Sequence, residues 1–582
     1  MKLKTNGVNI LYGYFYPEAK ENFVPSSDQS QFDTIQKLQQ DRVSSKKYGN
    51  PCELYQTSLD GSFSPIPDDV QDTGIVFWSN SISNEKGFFD NPISISFSST
   101  KKMSTPSITL NFGDYNNVYA THILAVWMSD NEIISEKEFF PDGSSFALEH
   151  EVKDYNYFEL IFYSINAPNQ RLRLQSINFG SWVVFGSEKI KNVNVLQGYS
   201  PISENIEIST IDFTFEFNEH DIFDFSRKQP IVTRLNNDII METYISDIKR
   251  KSENVWQIKS EDAIGILDGV NYKGGMYENA VAVDIIEDIF KTAKLPVVIS
   301  AELRSEMETV SGRIPYGSCR NALMQVLFAI GACVLTSGNS FGYTEIRRNS
   351  DLISQKIPLS RIMIGQTIDD EDVVTGVSIT SHNFIKVYDQ ETEIYNFQNS
   401  SDKINDEIFI VFNEPIHSWS ITGGRMIEFN NNFAKFIVLR NDCVLKGHKY
   451  KHIVSRKTKN KSSIRLGDLE NVINIADATL ISGSNIDKVL DICYNYFTNN
   501  KSISMKIVEG KHVEHSDPIK YGEKKYNTFT YGFQKSTTYD KRVKLGDLID
   551  TETKFLGDVS GRIIRQSYKL SNGVIVKDCI VR

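Results

Sequence analysis

The chain has 582 residues, 40% hydrophobic and 24% charged, with a net charge of −11. That balance excludes a disordered or fibrous protein, and the length implies about three to five domains. No apolar run approaches the roughly 18 residues of a helical membrane span, so no stable membrane insertion is expected, and the start MKLKTNGVNILYGYFYPEAK does not read as a signal peptide.

Along residues 1–60 a short helix is expected over Gln31–Arg42, with Phe32, Ile35 and Leu38 on one face. From about Asp60 to Gly186 the pattern is β. Phe77-Trp78, Ile93–Phe97, Ile108–Phe112, Thr121–Trp127 and Tyr157–Tyr163 alternate between turn-rich segments, as in a sandwich of jelly-roll type. Ser58-Leu59-Asp60-Gly61 followed by Phe77-Trp78-Ser79 resembles the start of a discoidin-type, galactose-binding jelly roll. Trp78 and Trp127 are therefore candidates for stacking on sugar, against the alternative that they fill the sandwich.

The texture changes near Gly186. Ile206–Thr210 and Ile211–Phe217 each alternate with period two, and the phase slips once between them, where a β-bulge is expected. Strands over Pro230–Arg234, Ile239–Ile248 and Asn254–Ser260 precede a helix over Val281–Ala293 that Pro296 stops. Arg313–Arg348 then reads as one unit: an extended lead-in, a buried helix between the N-cap Ser318 and the stop Gly331, and a hairpin around Ser337–Ser340. From Val373 to Leu439 the chain is β again, with a turn at Gly423-Gly424. A third helix is expected over Ile486–Phe497, and Ser571-Asn572-Gly573 marks a hairpin near the end.

The six cysteines (Cys52, Cys319, Cys333, Cys443, Cys493, Cys579) are far apart and never form CxxC, so they read as buried thiols. No cofactor or metal site is expected. His448 and His452 lie four apart in what reads as a strand, not a helix, and His512 and His515 have no third ligand nearby. HExxH, GxxxxGK[ST] and GxGxxG are all missing from the sequence, and Asp369-Asp370-Glu371-Asp372 reads as a solvated loop. No enzymatic activity is expected.

Charge is unevenly spread. From Asn441 onward 25 Lys and Arg face 16 Asp and Glu, a balance of +9, which leaves −20 on the preceding residues. Lys446–Arg465 carries eight cations and no acid: Lys446, Lys449, Lys451, Arg456, Lys457, Lys459, Lys461 and Arg465. Its alternating start and polar Ser455–Ser463 suggest a long basic hairpin. Two readings stay open: a docking arm on an acidic neighbouring subunit, or an exposed loop kept soluble by charge. Tyr450 is its one aromatic residue, so specific binding of nucleic acid is not expected.

Three stretches, in this order, resemble the hub proteins of phage tail tips and baseplates: Ile206–Phe217, Arg313–Arg348 with its CRNALMQVLFAIGACV core, and the terminal VKLGDLIDTETKFLGDVSGRIIRQSYKLSNGVIVKDCIV. The resemblance implies a mainly β fold with a few α-helices. An added sandwich (1–186) would precede a first barrel segment (187–270), a helix-containing domain (271–370), a second barrel segment (371–480) and a closing helix and β segment (481–582). It implies a homotrimer in the distal part of a virion tail or tail-like particle, made in the bacterial cytoplasm. Such a trimer would join the tail tube protein to other baseplate subunits and to a spike or tape-measure protein. Two rivals are a receptor- or cell-wall-binding adhesin acting through the sandwich, and a peptidoglycan hydrolase, for which no lytic motif is present.

Overall fold

The computed structural model describes residues 8–30, 35, 38, 75–113, 115–186, 189–216, 228–235, 238–336, 344–350, 352–359, 362, 366–396, 404–463, 469–475, 478–498, 501–510, 543–571 and 574–582. The protein is mainly β with a few short helices, and it divides into two compact units. One is Leu11–Val184; the other joins Met1–Ile10 to Phe185–Arg582.

In the first unit the strand Phe88–Asn111 pairs antiparallel with Ser145–Ile165, and this in turn with Ala120–Ser129, which pairs with Glu132–Phe139. Register breaks between Ser98 and Ser107 let the long strand bend, as bulges do. Alternate residues bury a single core that includes Trp127, Phe97, Phe158 and Phe179. Ile35 and Leu38 are buried in it too, although most of the helix expected over Gln31–Arg42 lies outside the described residues, as does Ser58–Gly61.

In the second unit nine strands follow one another in an antiparallel series. Pro230–Leu235, Asp238–Arg250, Val255–Glu261, Thr210–Glu216 and Ile190–Gly198 form one half. Gly557–Ser571, Val574–Val581, Lys501–Gly510 and Thr367–Asp370 form the other. Asp369 and Asp370 thus belong to an edge strand, not to a loop. Ser571 pairs with Val574, which leaves a two-residue connection at Asn572-Gly573, outside the described residues, as is the Ser337–Ser340 turn.

No bulge lies at Thr210-Ile211. The strand begins at Thr210 instead, and the phase slips because the two stretches pack against different things. Ile206 and Ile208 face a helical core, whereas Ile211, Phe213 and Phe215 are buried along the sheet. Asp262 fixes the junction. Its carboxylate accepts from the N–H groups of Ser209, Ile264 and Gly265 and from the Thr336 hydroxyl, and so caps the helix Ala263–Asp268. Complete burial nevertheless pushes this carboxyl up to about 6, from an ordinary 3.8. A raised folded-state value means that Asp262 favours the folded state below pH 4 and loses that advantage as pH rises to 6. At about 1.4 kcal/mol per unit, the loss is about 3 kcal/mol. Urea unfolding should therefore show wild-type stability falling relative to D262N between pH 4 and 6, with the difference flat above 7.

The helical core packs Ala282–Thr292 against Cys319–Ile330. Ser318 accepts from the Asn321 N–H at 3.2 Å, and Gly331 ends the helix in the left-handed region at φ 69°. A Cβ there would also lie 2.4 Å from Ile492 Cδ1. G331A is expected to cost about 1–2 kcal/mol in urea unfolding from the left-handed backbone alone. The helix Ile486–Phe497 lays Val489, Leu490 and Cys493 against Val377 and Ile379. Among the described residues the five cysteines other than Cys52 are buried and form no disulfide.

Candidate docking surface on a two-stranded ribbon

The basic run is not a hairpin. Its residues up to Asn460 form one strand, Val444–Asn460, paired antiparallel along its length with Gly376–Asn396. Ser455, expected at a tip, sits mid-strand opposite Ser381, with the two hydroxyls 2.7 Å apart. Polarity alone gave the impression of a tip; the true partner strand lies about 70 residues upstream.

At one end of this ribbon Ile416–Thr422 joins the sheet. There Phe412, Phe436, Val438 and Leu445 fill a small separate core beneath the three-stranded sheet of Glu407–Val411, Phe433–Val438 and Gly424–Asn430. Gly423, at φ 64°, makes the turn between Thr422 and Gly424. At the other end the ribbon rests on the helix Ile486–Phe497.

Four of the seven described cations are neutralised within the chain. Lys446 pairs with Glu391 at 3.8 Å and Lys449 with Glu414 at 2.5 Å. Lys457 pairs with Asp487, and Lys459 with Asp491 at 2.6 Å while lying 4.7 Å above the Tyr494 ring. Asp487 and Asp491 are one helical turn apart and meet alternate residues of the strand. Such half-exposed pairs contribute about 0.2–1 kcal/mol each, so their main effect here is to use up charge. Lys451 and Arg456 are exposed and make no ion pair among the described residues. Lys461 is half-buried, its N–H bonded to Thr375 O at 2.8 Å; Arg465 lies outside the described residues.

The histidines form pairs that sequence reasoning did not find. His382 Nδ1 and His452 Nε2 are 2.8 Å apart, with the Phe384 ring stacked on His452 at 4.4 Å. Farther along, His417 faces His448 at 5.7 Å between centroids and donates from Nε2 to Val387 O at 3.0 Å. Burial first, and then the neighbouring His448, hold the His417 imidazole below its ordinary value. Among the described residues no three His, Cys, Asp or Glu converge as a metal site would require. His512 and His515 are outside them.

Trp78 and Trp127 are each 1% exposed. Arg173 lies over the Trp78 ring at 5.0 Å, and Trp127 sits beside His150. Neither tryptophan has an open face on which a sugar could stack, so the carbohydrate role considered for them has no platform in these rings.

No protein-family model and no curated protein sequence matches the chain. Solved structures that it resembles include a 43 kDa tail protein of prophage MuSo2 from Shewanella oneidensis, at 8% identity and TM-score 0.40, covering 69% of this chain and 95% of that one. Others are a tail protein from Neisseria meningitidis MC58 (9%, TM-score 0.39, 68% and 92%) and prophage tail protein gp18 from Listeria monocytogenes EGD-e (9%, TM-score 0.37, 69% and 91%). At such scores the likeness fixes neither a family nor a function.

Proposed function

We propose that this protein is a structural hub of a phage tail or tail-like particle, a homotrimer that joins the tail tube to distal spike or fibre components. The observation that carries the reading is the pairing of Ile190–Gly198 with Thr210–Glu216 on one side and with Gly557–Ser571 on the other. Two of the sequence stretches that resemble tail hubs, one early and one terminal, thereby contribute to one antiparallel series in two halves. The third supplies the helix Cys319–Ile330 of the core beside it. In a trimer, two such halves per chain would give six wall segments, which suits contact with a sixfold tube above and a threefold partner below. The Leu11–Val184 unit would bind other baseplate subunits. The basic ribbon would be a docking element, with Lys451 and Arg456 as its uncommitted charges.

Light scattering of the purified chain at several concentrations tests this. The expected mass is three times 66.3 kDa, followed by co-assembly with tail-tube protein. A monomer that bound host cell walls would replace the hub with an adhesin.

A further inference from the structure

The ribbon is incompletely paired. The strand Val444–Asn460 has two neighbours in its sheet, Gly376–Asn396 along its whole length and Ile416–Thr422 only as far as Lys449. Tyr450 N still reaches Pro415 O at 3.2 Å, on the side away from Gly376–Asn396, whereas Lys461 N turns to Thr375 O at 2.8 Å. The pairing between them runs without a register break, so even-numbered N–H groups face outward. Among the described residues no backbone group meets those of Val454, Arg456 and Thr458.

We propose that the edge from Ile453 to Thr458 takes up an extended acidic segment of a partner protein as an added β-strand, with Lys451 and Arg456 each meeting a carboxylate. This deepens the hub reading, on which it rests, by naming the chemistry of one partner. Two observations favour it over a merely solvated edge. Sheet edges protected against pairing carry charge, proline or a bulge at their centre. This one has neither proline nor bulge, and beside Arg456 and the Asp487-paired Lys457 it presents Ile453 and Val454, 41% and 53% exposed. Flanking them are the two exposed cations that no acid among the described residues answers, on a strand whose other cations are paired. Main-chain bonds would supply affinity and the flanking charges selectivity. Lys451 and Arg456 are five residues apart and so on opposite faces, which requires acids at the same spacing in the partner. Nucleic acid fits less well, because two open cations neutralise few phosphates and exposed Ile453 and Val454 offer phosphate nothing.

The probe is a fluorescent ten-residue peptide of alternating threonine and valine, with glutamates at positions two and seven. Its lysine counterpart and an oligothymidylate serve as comparisons, and anisotropy is read on the full chain. The glutamate peptide should bind, more weakly as salt rises, and the lysine peptide should not. V454P removes one outward N–H at a position where an edge strand tolerates proline, and should weaken binding about tenfold or more with the melting temperature nearly unchanged. R456E should lose the glutamate peptide and gain the lysine one. No binding by the wild type, equal binding by V454P, or oligothymidylate binding in place of the peptide would each overturn the proposal. So would a fall in the mass of R456E from trimer to monomer, since the edge would then hold a second copy. A wild-type trimer that ignores the peptide leaves the hub standing without this inference.

Discussion

Replacing Arg313 with alanine should cost about 4 kcal/mol, with the small sandwich around Phe436 loosening first. The side chain is 8% exposed and each of its three guanidinium nitrogens donates a hydrogen bond. Nε donates to Asn432 Oδ1 at 2.9 Å, Nη1 to Asn413 O at 2.7 Å and Nη2 to Phe412 O at 2.9 Å. Asn432 continues the web, its amide donating to Lys273 O and Ile314 O, and Asn430 donates to Gly274 O. These contacts fasten residues 412–432 to the strands that frame the helical core. Alanine would strand two carbonyls and an amide oxygen in a buried place, at about 1–3 kcal/mol each before any water returns. Lysine can restore one of the three bonds and should recover part of the loss. Urea unfolding measures the total, and limited proteolysis between 404 and 445 locates it. A cost below about 1 kcal/mol would mean that water replaces the guanidinium there.

Arg313 also marks where sequence reading stops. The helix that follows it was legible to within a residue at both ends, because Ser318, Gly331 and the spacing of Ala322, Leu323, Val326 and Leu327 are local signals. The helix at Ile486–Phe497 was legible for the same reason. The role of Arg313 depends on Asn432, 119 residues away, and nothing in an extended lead-in announces that. The basic run failed in the same manner. Alternation identified its strand, but polarity suggested a tip where the chain runs on, since the pairing that extends it is non-local. The acids that consume its charge did carry a weak signal: Asp487 and Asp491 stand four apart on the polar face of a predicted helix. Periodicity did find the break at Thr210, and only its cause differed. A phase slip records a change of burial, which a bulge and a change of packing partner produce equally well.

Phe158 is the position in the Leu11–Val184 unit where truncation should do most damage, about 4 kcal/mol for F158A. It is completely buried, directly opposite Phe97 on one neighbouring strand and Trp127 on the other. Its ring stacks on Phe97 at 4.3 Å and meets Phe23 and Phe179 edge-on at 5.4 and 5.6 Å. Removing it leaves a cavity walled by rings that bonded backbones hold in place, so little collapse can offset the lost contacts. Phenylalanine-to-alanine costs of about 3–5 kcal/mol belong to sites of this kind. Leucine keeps most of the volume but not the stacking, and should cost less than half as much. Because the core of this unit is built from residues 19–179 alone, the loss should show in its own unfolding transition. Trp78 and Trp127 are sealed in this unit while Trp256 and Trp419 belong to the other, so in a W256F/W419F background tryptophan emission reads this unit: F158A should redden the emission at lower urea while F158L stays near the wild type. An equal cost for the two variants would mean that the aromatic stack, not the filled volume, holds the strands of this sheet together.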